Sequence, residues 1–249
     1  MRLNTPSCRR GFTLVEVLVV VAIIMTLAAA SFVAVGKMNI AAHKAGSVSD
    51  IKQLSVISTT GAADNNNIFP RAHFVTQNGG LPFWFSWEWR DQYSVTQEMA
   101  YNGANECWTK DGKDRCQNNT DIWNYGGVDE GSSSLFSYAC VIDDPVWTDG
   151  GEFLPPEPAE WERLKDDVYN EDDDTYRWTP SRMGQKVAYP VLWVDLAVDW
   201  NNRTLGNYLE KKEKRFTGVH VGFMDGHVEW RERARVRKRF SRPGLTLYW

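Results

Sequence analysis

Histidine and cysteine are scarce in this chain, with four of each in 249 residues. Metal centres and nucleophile–base pairs draw heavily on those two residue types, so few constellations remain to test. Cys107, Cys116 and Cys140 lack zinc-ligand spacing and have no histidine near them, which argues against a zinc site. The run Asn170, Glu171, Asp172, Asp173, Asp174 has oxygen ligands for calcium but lacks the glycine and distal glutamate of an EF-hand loop. Solvated charge is the preferred reading there. An excess of positive charge is also missing: 28 Lys and Arg stand against 32 Asp and Glu, a formal net of −4. Nothing in that balance points to a nucleic-acid binder. No nucleophile-and-base pairing is visible, so the chain is read as no enzyme, with no cofactor and no metal.

What the chain does have is one long apolar run near its start. From Phe12 to Val35, 24 residues carry a single charge, Glu16. As a helix this run would span roughly 36 Å, enough for a bilayer core of about 30 Å. Arg9 and Arg10 precede it, which predicts a cytoplasmic N-terminus and a domain beyond the membrane. Glu16 is the misfit. A lone carboxylate this far into a membrane helix costs on the order of 3 kcal/mol, so a partner is expected.

The stretch Arg10-Gly11-Phe12-Thr13-Leu14-Val15-Glu16 resembles the processing site of type IV pilins and type II secretion pseudopilins. The resemblance implies that prepilin peptidase cuts between Gly11 and Phe12 and methylates the new amine of Phe12. It also implies that Glu16 pairs with the N-terminal amine of a neighbouring subunit in a filament. Two plainer readings compete. Ala28-Ala29-Ala30 offers a secretory cleavage site, although a carboxylate at the start of the apolar region is unusual for one. A simple single-pass anchor leaves Glu16 and the Gly-Phe junction unexplained.

Cys8 would leave with the leader. Cys107 and Cys116 enclose a polar loop on the oxidising side of the membrane and are the expected disulfide, with Cys140 free or buried. No proline occurs between Gly36 and Pro70, and Val48, Ile51, Leu54 and Ile57 recur every three residues. One long helix is therefore predicted from about residue 12 to about residue 60, stopped by Gly61 to Asn67. Phe83, Phe85, Trp87 and Trp89 alternate with Ser86, Glu88 and Arg90, which predicts a half-buried strand. Such aromatics could also stack on a glycan, but core burial is the preferred reading. Residues 101–134 read as loops, Leu135 to Ile142 as a short strand, and Glu160 to Val168 as a short helix. Tyr189 to Leu196 is apolar on both faces, as an interior strand would be.

Near the end, Asp225-Gly226 read as a two-residue turn pairs Met224 with His227, Phe223 with Val228 and Val221 with Trp230. Val219, Val221, Phe223, Val228 and Trp230 would then share one face. His220 and His227 would lie about 13 Å apart, too far to share one zinc ion. Phe223 to Trp230, with Asp225-Gly226-His227-Val228 at its centre, resembles the C-terminal segment of a processing-associated pseudopilin-like group known for a His, nine residues, Asp-Gly pattern. The first histidine of that pattern is absent, since Arg215 stands ten residues before Asp225. Beyond it, odd-numbered arginines from Arg231 to Arg239 suggest a charged edge strand, and DNA capture is the sharper alternative. Residues 143–174 hold thirteen acids against two bases, and residues 211–242 eleven bases against four acids. These opposite blocks either face each other or face water, and between subunits they could set register.

The reading is an α+β pilin-like fold, a long, partly transmembrane N-terminal helix packed on an antiparallel sheet domain. Leader 1–11, assembly helix 12–36, outer half-helix 37–63 and globular domain 64–249 are the expected divisions. The expected function is that of a structural subunit, pilin or pseudopilin. Its partners are prepilin peptidase, other such subunits in a homo- or hetero-polymer, and the inner membrane. The expected placement is single-pass, with the C-terminal domain periplasmic. The alternative is a non-polymerising or tip subunit that captures glycan or DNA.

Overall fold

The computed structural model describes residues 13–73, 81–126, 132–143, 148, 150–172, 174–210 and 215–249. The chain divides into two units, residues 1–42 and 43–249.

In the first unit, helix α1 (Leu14–Asp64) begins at Leu14. Every side chain described from Thr13 to Ala42 is exposed. Leu14, Leu18, Ile24, Met25, Leu27 and Phe32 are each more than half exposed. A contiguous apolar surface of this kind marks contact with a membrane or with other proteins. It is the one described helix long and apolar enough to cross a bilayer.

The second unit takes in the rest of α1. Its buried face is Ser47, Ile51, Leu54, Ser55, Ser58, Gly61 and Ala62, spaced by three and four residues. Only Ile51 and Leu54 of the expected four apolar residues lie on this face; Val48 and Ile57 are half-buried at its margins. Serines fill the gaps because the side chains they meet are large. Trp193 donates its indole N–H to Ser58 Oγ at 2.9 Å. The helix also outruns its expected stop by four residues, ending at Asp64. Gly61 is a contact here, not a terminator, since a Cβ would lie 2.7 Å from the Tyr93 hydroxyl. The stop falls to Asn66 and Asn67, which adopt φ of 51° and 62°.

The expected long aromatic strand is shorter than predicted. Strand β1 (Trp84–Ser86) ends after three residues and helix α2 (Trp87–Gln92) follows. Ser86 is the reason: its hydroxyl accepts from the Trp89 N–H at 3.1 Å and caps the helix. Phe85 and Trp89 still reach the same core, packing on Trp193 with ring centroids 5.3 and 6.0 Å away. Helix α3 (Gln97–Ala100) follows, capped by Thr96. The single strand expected over 135–142 is two, β2 (Ser133–Leu135) and β3 (Tyr138–Cys140). They pair in different sheets, β2 with β1 and β3 in the larger sheet below.

After β4 (Glu152–Phe153), helix α4 runs Pro158–Val168, close to its predicted span and opened by proline at its first turn. Next come β5 (Val191–Asp195), β6 (Ala197–Trp200) and β7 (Arg203–Gly206). The C-terminal strands are β8 (Gly218–Phe223), β9 (Val228–Glu232), β10 (Lys238–Arg242) and β11 (Leu245–Tyr248). One sheet has the order β9-β8-β5-β3, the other β7-β6-β11-β10-β4. Every strand pairing among the described residues is antiparallel. β5 is interior, as its apolar faces predict, and only Leu196 separates it from β6 in the other sheet. The fold is thus pilin-like α+β, with the outer half of α1 laid on antiparallel sheet.

The β8–β9 register corrects the predicted hairpin. Gly222 faces Val228, Val221 faces Glu229 and His220 faces Trp230, one residue off the expected pairing. Phe223 N–H bonds to His227 O at 3.0 Å and Gly226 N–H to Phe223 O at 3.0 Å. Three residues form the loop, with Gly226 at φ 84°. That is a type I turn followed by a left-handed glycine, not a primed two-residue turn. Because strand faces alternate, the slip moves Val228 and Trp230 to the face of Gly218, His220 and Gly222. The helix lies on that face: a Cβ on Gly222 would sit 2.4 Å from Ile51 Cγ2.

Candidate functional site

Two regions hold the polar groups that matter: the start of α1 and the seam between its outer half and the four-stranded sheet. Gly11 and Phe12, the expected processing junction, lie outside the described residues. Thr13 and Glu16 are described. Glu16 Oε2 accepts from both the Thr13 N–H and the Thr13 hydroxyl at 2.8 Å. The Glu16 N–H returns a bond to Thr13 Oγ1 at 3.3 Å. This is a capping box, and the spacing Thr13-Leu14-Val15-Glu16 signals it in the sequence. Glu16 therefore has a partner inside its own chain. Among the described residues both of its side-chain bonds fall on Oε2, and the residue is exposed.

The seam is organised around Asp195, at the end of β5 and with no exposed surface. Its Oδ1 accepts from Ser47 Oγ at 2.7 Å and Asn207 Nδ2 at 2.8 Å. Its Oδ2 meets the His220 backbone N–H and Nδ1, both at 2.7 Å. Ser47 in turn accepts from Asn102 and, at 3.3 Å, from the Tyr208 hydroxyl. Beside it Tyr138 donates to Asp50 Oδ2 at 2.8 Å, and Lys44 sits 3.5 Å over the Trp230 ring. Burial pushes the Asp50 carboxyl up to about 6, against the lowering bond from Tyr138. Burial likewise raises the Tyr208 hydroxyl, with Asp195 adding to it.

Serine, aspartate and histidine meet here in the wrong order for acyl transfer. A nucleophilic triad places histidine between the hydroxyl and the carboxylate. Here the carboxylate is in the middle, so His220 cannot take the Ser47 proton. The arrangement is a clamp that ties α1 to β5 and β8. Sequence reading missed it. The available signal was a lone aspartate at the end of an apolar interior strand, since a buried charge must be partnered.

The other expected sites are dispersed. Cys107 and Cys116 form a disulfide with Cα atoms 5.0 Å apart, and Cys140 is buried. His220 is buried on Asp195, whereas exposed His227 bonds its Nδ1 to Asp225, at 2.5 Å. Of the acidic run, Asp173 lies outside the described residues. Asp174 accepts from Tyr169, and Asn170 Oδ1 from Arg177 at 2.9 Å. The C-terminal arginines are not one edge strand: β9 stops at Glu232, and β10 lies inside its sheet between β11 and β4. Several of them also have carboxylate partners. Arg235 meets Glu229 at 2.7 Å, Arg233 meets Glu210 at 3.7 Å and Arg237 meets Glu157 at 3.7 Å. The last of these joins the basic block to the acidic one.

The long apolar helix and antiparallel sheets define a pilin-like α+β fold. Residues 6–32 match the family model described as the prokaryotic N-terminal methylation motif. That motif implies processing by prepilin peptidase and pilin- or pseudopilin-like assembly, and the apolar helix is consistent with membrane anchoring. No curated protein and no solved structure matches the chain.

Proposed function

We propose that the chain is a structural subunit of a type IV pilus or type II secretion-like filament. In this reading the peptidase cuts after Gly11, Phe12 becomes the methylated N-terminus, and the apolar part of α1 packs against its counterparts in the polymer. The domain that follows is displayed on the outer side of the inner membrane. The observation that carries the reading is a carboxylate in the first turn of α1, inside the matched methylation motif and on the exposed apolar part of the helix. Glu16 Oε2 is held by Thr13, which leaves Oε1 to receive the amine of a neighbouring subunit. Pairing in a low-dielectric bundle would offset the cost of placing Glu16 there.

Two measurements test this. Mass spectrometry of the mature chain should find methyl-phenylalanine at position 12, whereas a start near Ser31 would refute processing. Glu16→Ala should lose filament incorporation while retaining membrane insertion. Normal assembly of that variant would count decisively against the assembly role.

A further inference from the structure

A cavity of about 350 Å³ opens between the disulfide loop and the β6–β7 hairpin, far in sequence from α1. Its size falls at the lower end for small-molecule sites, which run from roughly 300 to 1,000 Å³. Trp84, Tyr125 and Trp200 form its apolar walls, with Ile122 and Leu135 behind them. The Trp84 and Tyr125 rings meet edge to face, centroids 5.7 Å apart and planes 80° apart, so they make a corner instead of one flat plate. Trp200 is braced by Phe83 in a similar T-shaped contact at 5.5 Å.

The polar lining is equally organised. Asp114 is 2 % exposed, and its carboxylate accepts from the Trp108 indole at 3.1 Å and the Cys116 N–H at 2.9 Å. Arg203 Nη2 lies 3.0 Å from Asp114 Oδ2, and Nη1 donates to Gln117 Oε1 at 2.9 Å. The disulfide ends two residues from Asp114, and the Trp200–Arg203 turn is fixed by Asn201 and Asn202 at φ 46° and 66°. Gln117, Thr120 and Asn201 complete the lining with an amide, a hydroxyl and an amide.

We infer that this cavity is a binding site for neutral carbohydrate, a pyranose unit or two held by ring stacking and hydroxyl hydrogen bonds. A sugar ring presents C–H groups on its faces and hydroxyls around its edge. The electron-rich faces of tryptophan and tyrosine suit the first, and amide and guanidinium groups suit the second. Charge decides against other occupants. The guanidinium of Arg203 cancels the carboxylate of Asp114, so an anionic ligand meets a buried carboxylate and a cationic one meets the guanidinium. Single-stranded nucleic acid also stacks on aromatics but needs an electropositive track for its backbone, which this neutral pair does not provide. The inference is independent of polymerisation: the site lies wholly within residues 84–203, and a subunit that never assembled would retain it.

The test uses the full chain in lipid nanodiscs, free of glycoside detergents. Saturation-transfer NMR and tryptophan fluorescence would be recorded with methyl glucoside, methyl galactoside, methyl mannoside and diacetylchitobiose. Glucuronate and glucosamine serve as charged comparators. At least one neutral glycoside should bind saturably and more tightly than either charged sugar. Tyr125→Ala and Trp200→Ala should each weaken it by about tenfold or more, with Gln117→Ala giving a smaller loss. Tyr125 is 43 % exposed and Gln117 is exposed, so these two variants carry the test if Trp200→Ala fails to fold. Absence of saturable binding by every neutral glycoside would overturn the inference. So would tighter binding of glucuronate, or binding unchanged by Tyr125→Ala.

Discussion

Replacing Asp195 by asparagine changes one oxygen to an NH2 group and leaves the volume almost the same, so its effect isolates hydrogen-bond direction. Four donors converge on this carboxylate: the Ser47 hydroxyl, the Asn207 amide, the His220 N–H and His220 Nδ1. An asparagine can accept through one oxygen only. If that oxygen serves the two His220 groups, the new NH2 points at Ser47 and Asn207. Asn207 cannot turn to accommodate it. Its Nδ2 also donates to Ser137 O at 2.8 Å, and its Oδ1 accepts from Asn105 at 3.1 Å. Ser47 already accepts from Asn102 and Tyr208. Either orientation leaves at least one buried donor facing another donor. An unsatisfied buried polar group costs about 1–3 kcal/mol, and loss of the charge-assisted bonds adds to it, so a total near 3 kcal/mol is expected. For a unit of this size each kcal/mol shifts Tm by about 2–4 °C, giving a fall of roughly 6–12 °C. Thermal melts of the nanodisc-held chain, followed by near-UV circular dichroism, would measure it. Trp193 on the same strand reports local packing. A loss below about 1 kcal/mol would show that the four donors do not depend on Asp195, and the clamp would be refuted.

The remaining predictions concern the same seam. Asp50 has a folded pKa raised to about 6 from 3.8, so the native state holds its proton more tightly than the unfolded chain. The associated stability is fully present below about pH 4 and is lost as pH rises through 6. Asp50→Asn keeps an acceptor for Tyr138 and should therefore gain on the wild type as pH rises from 4 to 7. Solvent screening limits that gain to about 1 kcal/mol at neutral pH. A difference in Tm that is flat across this window would refute the assignment. Gly222→Ala should cost about 1–3 kcal/mol, because the new methyl would press on Ile51 Cγ2 at 2.4 Å. In an Ile51→Ala background the same change should cost little, and additive losses in urea denaturation would contradict the close approach.

The first half of α1 was legible because its determinants are local. An apolar run needs no partner in the sequence to announce that it leaves water, and the methylation motif matched over residues 6–32 is contiguous. Interior strand β5 was legible for the same reason, since burial on both faces writes apolar residues continuously. Errors appear where a nearby hydrogen bond competes with a periodic pattern. The alternating aromatics from Phe83 to Trp89 satisfy a strand, yet the Ser86 cap turns the chain into helix after Ser86 and still delivers Trp89 to the core. Asp225-Gly226 satisfies a two-residue turn, yet one more residue in the loop moves Val228 and Trp230 to the opposite face from that predicted. Hairpin registers that differ by one residue are close in local energy, and the choice between them falls to what each face must pack against.

By itself, then, the sequence determined an apolar helix with a processing motif, an outer helical extension, an antiparallel sheet domain and the expected cysteine pair. Only the tertiary structure decided that serines, not just aliphatic residues, line the helix–sheet seam, that Asp195 gathers donors from three separate segments, and that Trp84, Asp114 and Arg203 line one cavity. Hydrophobic periodicity and capping act over a few residues and leave a local signature. Buried polar networks and cavities are made by residues up to 161 positions apart, as Ser47 and Tyr208 are, and their specificity exists only once the chain has closed around them.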